Sequence, residues 1–160
     1  MFFWIKPAKS LPKPTIFRQI TRVYYLSSAE FMSKFYDLVE EICRQDKRYK
    51  PDVYEFVLQG LEFTQKKLKK SAHLSGTELA HGLRDYAINQ YGALANRVLA
   101  YWGINQTLDF GNVVFNMIGK KLLSKTKEDT LLDFKEVYDF KAAFSNVLAD
   151  SVIEAIKGKS

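Results

Sequence analysis

Apolar positions recur every three to four residues along most of the chain after Met32. In SKFYDLVEEICRQDKRY, Phe35, Leu38, Val39 and Ile42 fall at i, i+3, i+4 and i+7, the stripe of a one-faced helix. PDVYEFVLQGLEFTQKKLKK predicts a second, with Pro51 at its first position and Asp52 and Glu55 in its first turn. Its stripe is Tyr54, Val57, Leu58, Leu61 and Leu68, and Lys66, Lys67, Lys69 and Lys70 suit its C-terminal end. Ser75 and Glu78 have capping-box spacing and start a helix that turns Leu79, Leu83, Tyr86 and Ala87 inward. Gly92 breaks it. ALANRVLAYW then predicts a shorter helix with Leu94, Val98, Leu99 and Trp102 inward, stopped by Gly103. Thr107 caps the next, whose stripe is Phe110, Val113, Val114, Met117 and Ile118, closed by Gly119.

The period changes after Gly119. LLSK and LLDFKEVY alternate in part around the polar TKEDT, the pattern of a hairpin. Asp139 then caps a last helix carrying Phe140, Phe144, Val147, Leu148, Ser151 and Ala155 on one side. The fold class expected is mainly α: a helical domain whose C-terminal half is winged-helix-like and carries one small β-hairpin. The helix ending at Trp102, the GINQT turn and the helix from Leu108 to Ile118 would form its two-helix core. In that arrangement the later helix enters the major groove. Its outward residues would be Asp109, Asn112 and Asn116, with Lys120 and Lys121 near its end and Lys125 and Lys127 in the wing. Asparagines pair with adenine edges and lysines hold phosphates, so Asn112, Asn116, Lys120, Lys121, Lys125 and Lys127 are the candidate nucleic-acid contacts. The objection is electrostatic, because the face before Lys120 offers Asp109 and no arginine.

Residues 1–31 follow no helical period and hold Pro7, Pro12 and Pro14. They are expected to be a loosely ordered extension upstream of a start at Met32, with a partner-binding arm as the alternative. Residues 32–160 are expected to form a single helical domain. The formal net charge of +6 belongs mainly to the extension, where Lys6, Lys9, Lys13, Arg18 and Arg22 face Glu30 alone. The rest is close to neutral, short of the footprint of a strong phosphate binder.

Phe 12, Tyr 9 and Trp 2 promise a bulky core. Cys43 is the sole cysteine, which excludes an intramolecular disulfide and a multi-cysteine zinc site and fits a reducing, cytoplasmic setting. No apolar run approaches the roughly 18–20 residues of a spanning helix, and MFFWI is too short for a signal-peptide core, so no membrane partner is expected.

Fragments that imitate catalytic motifs lack their companions. Asp109-Phe110-Gly111 matches the kinase magnesium tripeptide without its phosphate loop or catalytic loop. Glu78 and His81 have the Glu-x-x-His spacing of di-iron bundles, which need a second such pair. Cys43 with His73 or His81 is a nominal nucleophile and base. Two basic clusters, Arg44 to Lys50 and Lys66 to Lys70, lie near helix C-termini, where cations are favoured without a ligand. No catalytic, cofactor or metal residue is assigned.

YEFVLQGLEFTQKKL, HLSGTEL, YGALANRVLAYWGI, DFGNVVFNMI, LLSKT and YDF occur in this order. With that spaced combination, residues 32–144 resemble an uncharacterised bacterial family known by a placeholder, locus-style name. The resemblance implies a small cytoplasmic bacterial protein, beginning near Met32, with no assigned activity, cofactor or catalytic residue. The expected function is a non-enzymatic protein-interaction module, docking a partner through the winged-helix-like half or an aromatic groove between helices. A weak DNA or RNA binder using Asn112, Asn116 and Lys120 to Lys127 is the alternative, and an enzyme with an unrecognised site comes last.

Overall fold

A computed structural model describes residues 28–70 and 73–158. The expectations for residues 1–27, and for the side chains of Leu148, Ser151 and Ala155, lie outside what is described. The elements are α1 (Ser28–Gln45), α2 (Asp52–Leu68), α3 (Gly76–Tyr91), α4 (Ala95–Tyr101), α5 (Thr107–Gly119) and α6 (Phe140–Lys157). Short 3-10 turns occupy Gly92–Leu94 and Leu131–Phe134. The protein is mainly helical, and no helix among the described residues is long and apolar enough to cross a membrane. Helix α1 starts ahead of Met32, and its Phe31 ring stacks on Phe35 at 6.4 Å.

The stripes meet in one core, with Phe35, Tyr54, Leu83, Leu99, Phe110 and Met117 fully buried. Helices α2 and α3 form its tightest seam because small residues let their backbones approach. A Cβ on Gly82 would stand 1.9 Å from Thr64 Oγ1, and that hydroxyl donates to the Gly60 carbonyl at 2.6 Å. Local chemistry fixes the helix ends. Ser75 Oγ accepts from Glu78 N–H at 3.1 Å while Glu78 Oε2 accepts from Ser75 N–H at 3.0 Å, the reciprocal box. Helix α2 ends on Lys69 at φ 52°, which brings the Lys70 N–H onto the Gln65 carbonyl at 3.0 Å. Asp139 Oδ1 accepts from Ala142 N–H at 2.8 Å and starts α6.

Thr107 does not cap α5. It is the first helical residue, buried, with Oγ1 accepting from Val137 N–H at 3.3 Å. Asp109 caps instead: its Oδ2 accepts from Asn105 N–H at 2.9 Å and Gln106 N–H at 3.1 Å.

The hairpin expected after Gly119 is absent, and among the described residues there is no strand. The winged-helix-like half is thereby corrected: α4, a turn and α5 are present in order, but no wing follows. The backbone donors that a ladder would use have other acceptors. Lys121, at φ 60°, turns the chain back so that its N–H meets the Ile118 carbonyl at 2.9 Å and Leu122 N–H meets that of Met117 at 2.9 Å. Asp129 Oδ2 takes the Thr126 N–H at 2.6 Å, and Asp133 Oδ2 takes the Thr130 N–H at 2.7 Å. The 3-10 turn that follows lays Phe134 against Gly76 and Gly111.

Leu94 and Leu68, expected inward, are exposed. At Leu94 the cause is the 3-10 turn before α4. Its tighter winding leaves Ala95, Leu99 and Trp102 as the buried stripe and carries Leu94 to the outside.

Candidate functional site

The polar side of α5 faces the corner between α1 and α2. Asn112 Nδ2 donates to the Tyr49 hydroxyl at 3.0 Å, and that hydroxyl donates to Asp109 Oδ1 at 2.8 Å. One turn on, Asn116 Nδ2 donates to Asp46 Oδ2 at 2.9 Å and to the Tyr54 hydroxyl at 3.3 Å. The two asparagines therefore lie side by side as expected of one helix face, but their amides are spent on the protein's own tyrosines and Asp46. Lys120 Nζ pairs with Glu41 Oε2 at 2.8 Å. Lys125 Nζ donates to the carbonyls of Thr126 at 3.3 Å and Asp129 at 3.0 Å. Lys121 and Lys127 are exposed. Of the nominated lysines, Lys120 shares a cleft wall with Asn116.

A cleft of about 280 Å³ opens beside this network, lined chiefly by Ile42, Gln45, Asp46, Phe115, Asn116 and Lys120. Arg48 grips Asp46 through Nε at 2.9 Å and Nη2 at 2.8 Å, and the charged hydrogen bonds hold the Asp46 carboxyl far below the usual range. The Lys120 ammonium likewise lowers Glu41. Burial, then the hydrogen bond to Asp109, raises the Tyr49 phenol. A carboxylate as depressed as Asp46 is a weak base near neutral pH, so the network acts as a clamp holding α5 on the α1–α2 corner.

Two tests of the clamp follow. Asp109→Ala removes the α5 cap and the acceptor of the buried Tyr49 hydroxyl, which keeps Asn112 Nδ2 as its donor; chemical denaturation should show a loss of about 1–2 kcal/mol. An unchanged midpoint would mean that the cap and the Tyr49 bond are dispensable.

The second test uses pH. Burial pushes Tyr54 up to about 12 from its ordinary 10.0. The native phenol stays neutral where the unfolded one ionises, so stability falls as pH rises from about 10 to about 12, by about 3 kcal/mol for Tyr54 alone. Ultraviolet titration of the phenols should show a late fraction that ionises together with loss of helical circular dichroism. Complete ionisation with the helices intact would contradict the assignment.

The motif fragments have structural roles. In Asp109-Phe110-Gly111, Asp109 is the cap, Phe110 is core and Gly111 underlies Phe134. Glu78 serves the capping box and pairs with Lys70, while the His81 ring packs at a tilt against Tyr138, centroids 5.3 Å apart, with its Nδ1 3.3 Å from Arg84 Nη1. The Cys43 thiol, raised by burial, approaches the Tyr49 carbonyl at 3.8 Å, and His73 instead joins Asp129 at 2.9 Å. Among the described residues, no group of three or more His, Cys, Asp or Glu could hold a metal ion. Much of both basic clusters is ion-paired internally: Arg44 with Glu40, Arg48 with Asp46, Lys66 with Glu62, Lys67 with Asp85.

What the sequence pattern missed lies on the outer face of α4. Leu94 is 58% exposed and Tyr101 66% exposed, with half-buried Val98 between them at helical spacing. Lys50 Nζ stands 3.4 Å from the centroid of the Tyr101 ring. The available signal was Gly92, whose break in the helical period leaves the phase of the following segment open. Compared with known proteins, the chain matches no family model, no curated protein and no solved structure.

Proposed function

We propose that this chain is a non-enzymatic protein-interaction module that docks a partner on the outer face of α4. One observation carries this reading: Leu94, at the end of the 3-10 turn, and Tyr101, at the end of α4, both stand largely in solvent, with half-buried Val98 between them in the chain. Single exposed apolar residues are ordinary on soluble proteins, whereas a contiguous set marks contact surfaces. Tyrosine is enriched at interface hot spots, where it buries a large ring with little loss of rotamer freedom. The face is also well founded, because Ala95 and Leu99 on the other side of α4 are buried in the core.

The test is quantitative affinity capture with the full chain against a Leu94→Asp/Tyr101→Asp variant shown by circular dichroism to be folded. Proteins retained by the first and lost by the second are the expected result, and the same retained set from both would sink the reading. Anisotropy of labelled duplex DNA and RNA at about 50 and 200 mM salt runs in parallel, since phosphate-driven binding weakens steeply over that range. Such binding, abolished by Lys121→Glu/Lys127→Glu, would replace protein docking by nucleic-acid binding.

A further inference from the structure

The α4 face carries a charge pattern as well as an apolar stripe. Arg97 is exposed one turn before Tyr101, and Lys50 lies over the Tyr101 ring from the loop before α2. Among the described residues, neither cation has an ion-pair partner, in contrast to the paired basic residues of α1 and α2. Asp52, two residues beyond Lys50, opens α2; its charge acts on the Tyr91 phenol, and it pairs with neither cation. The face therefore presents Leu94, Val98 and Tyr101 with Lys50 over the tyrosine ring, Arg97 one turn before it in α4, and a positive balance over Lys50, Arg97 and Asp52.

We propose that the partner element seated on α4 is an acidic amphipathic helix, with aliphatic residues on Leu94, Val98 and Tyr101 and carboxylates toward Lys50 and Arg97. This rests on the docking reading and names the chemistry of its partner. Apolar side chains at i, i+3 or i+4 and i+7 match the spacing of the stripe on α4, as when an amphipathic helix meets an apolar surface. Flanking carboxylates would pair with cations that have no ion-pair partner among the described residues, which sets orientation and rejects basic competitors more than it adds raw affinity. Arginine suits such contacts, because its planar guanidinium can hold a carboxylate in two hydrogen bonds.

The probe is a fluorescein-labelled synthetic helix of about 15 residues with leucines at that spacing and glutamates flanking them, titrated with the full chain. A second peptide keeps the leucines and replaces every glutamate by lysine. The glutamate peptide is expected to bind at least tenfold more tightly, with its advantage shrinking between about 50 and 200 mM salt. Lys50→Glu/Arg97→Glu should reverse the preference, and Leu94→Ala/Tyr101→Ala should weaken both peptides by about tenfold or more. Equal binding of the two peptides, or a preference that survives the charge reversal, overturns the acidic-helix proposal. So does binding of neither peptide. In each of these cases the capture comparison with Leu94→Asp/Tyr101→Asp still decides the docking reading by itself, which keeps the two failures distinct.

Discussion

Gly103→Ala is expected to be among the most damaging single substitutions in the chain, lowering stability by about 3–5 kcal/mol. Gly103 stops α4 at φ 95°, outside the range L side chains readily adopt. The space for a methyl is also missing, since a Cβ there would lie 2.1 Å from the Arg48 carbonyl oxygen and 3.3 Å from the Tyr49 ring. That oxygen is backbone and cannot rotate away, and the same crossing is stitched by the Lys50 N–H on the Trp102 carbonyl at 3.1 Å. Relief would require the α1–α2 loop to lift, taking with it the Tyr49 ring that anchors Asp109 and Asn112. Gly92→Ala separates the two causes: it also has positive φ, at 51°, but nothing stands within 4 Å, so only backbone strain of about 1–3 kcal/mol applies. Urea denaturation of both variants decides the matter. If Gly103→Ala costs no more than Gly92→Ala, the close crossing does not exist as described.

Local rules legible in the residues survive where a single physical cause dominates. The Ser75–Glu78 box, the Asp139 cap and the stripes of Phe35, Val39 and Ile42 or Phe110, Val113 and Met117 all form as their spacing dictates. The reading fails where two interpretations share one pattern. A polar helix face can meet water or the polar rim of a neighbour, and Asn112 and Asn116 do the latter because Tyr49 and Tyr54 bring hydroxyls to the edge of the core. Nothing in α5 itself distinguishes the two, since the partners lie some sixty residues away. Leucine pairs beside a polar turn likewise suit a hairpin or a chain of capped turns. Asp129 and Asp133 decide for turns, each taking the backbone N–H three residues before it. Leu94 is a failure of winding, because it lies within the three residues of 3-10 turn, while Leu99 and Trp102 after it are buried as expected. That one error hid the face on which the functional proposal rests.

Phe134 gives the sharpest test of the turn that replaces the hairpin. Its buried ring is seated between two helix surfaces that have no side chain of their own: a Cβ on Gly76 would lie 2.8 Å from Cε2, and one on Gly111 would lie 2.8 Å from Cβ and Cγ. Phe134→Ala is expected to cost about 3–5 kcal/mol, since the glycines leave nothing that can swing in to fill the space. Gly111→Ala alone should also destabilise, by about 1–3 kcal/mol, because its methyl would press on Phe134 and on Leu131 Cδ1 at 2.9 Å. Combined, the costs should not add. With the ring gone, only the contact with Cγ is relieved, while the Cβ that alanine keeps at position 134 and Leu131 Cδ1 still crowd the Gly111→Ala methyl, so the double variant should cost less than the sum of the two single variants by about 1 kcal/mol. Equilibrium denaturation of the four proteins measures that departure from additivity directly. Simple additivity would show that Phe134 does not sit on α5 at Gly111, and the chain between Gly119 and Asp139 would have to be traced differently.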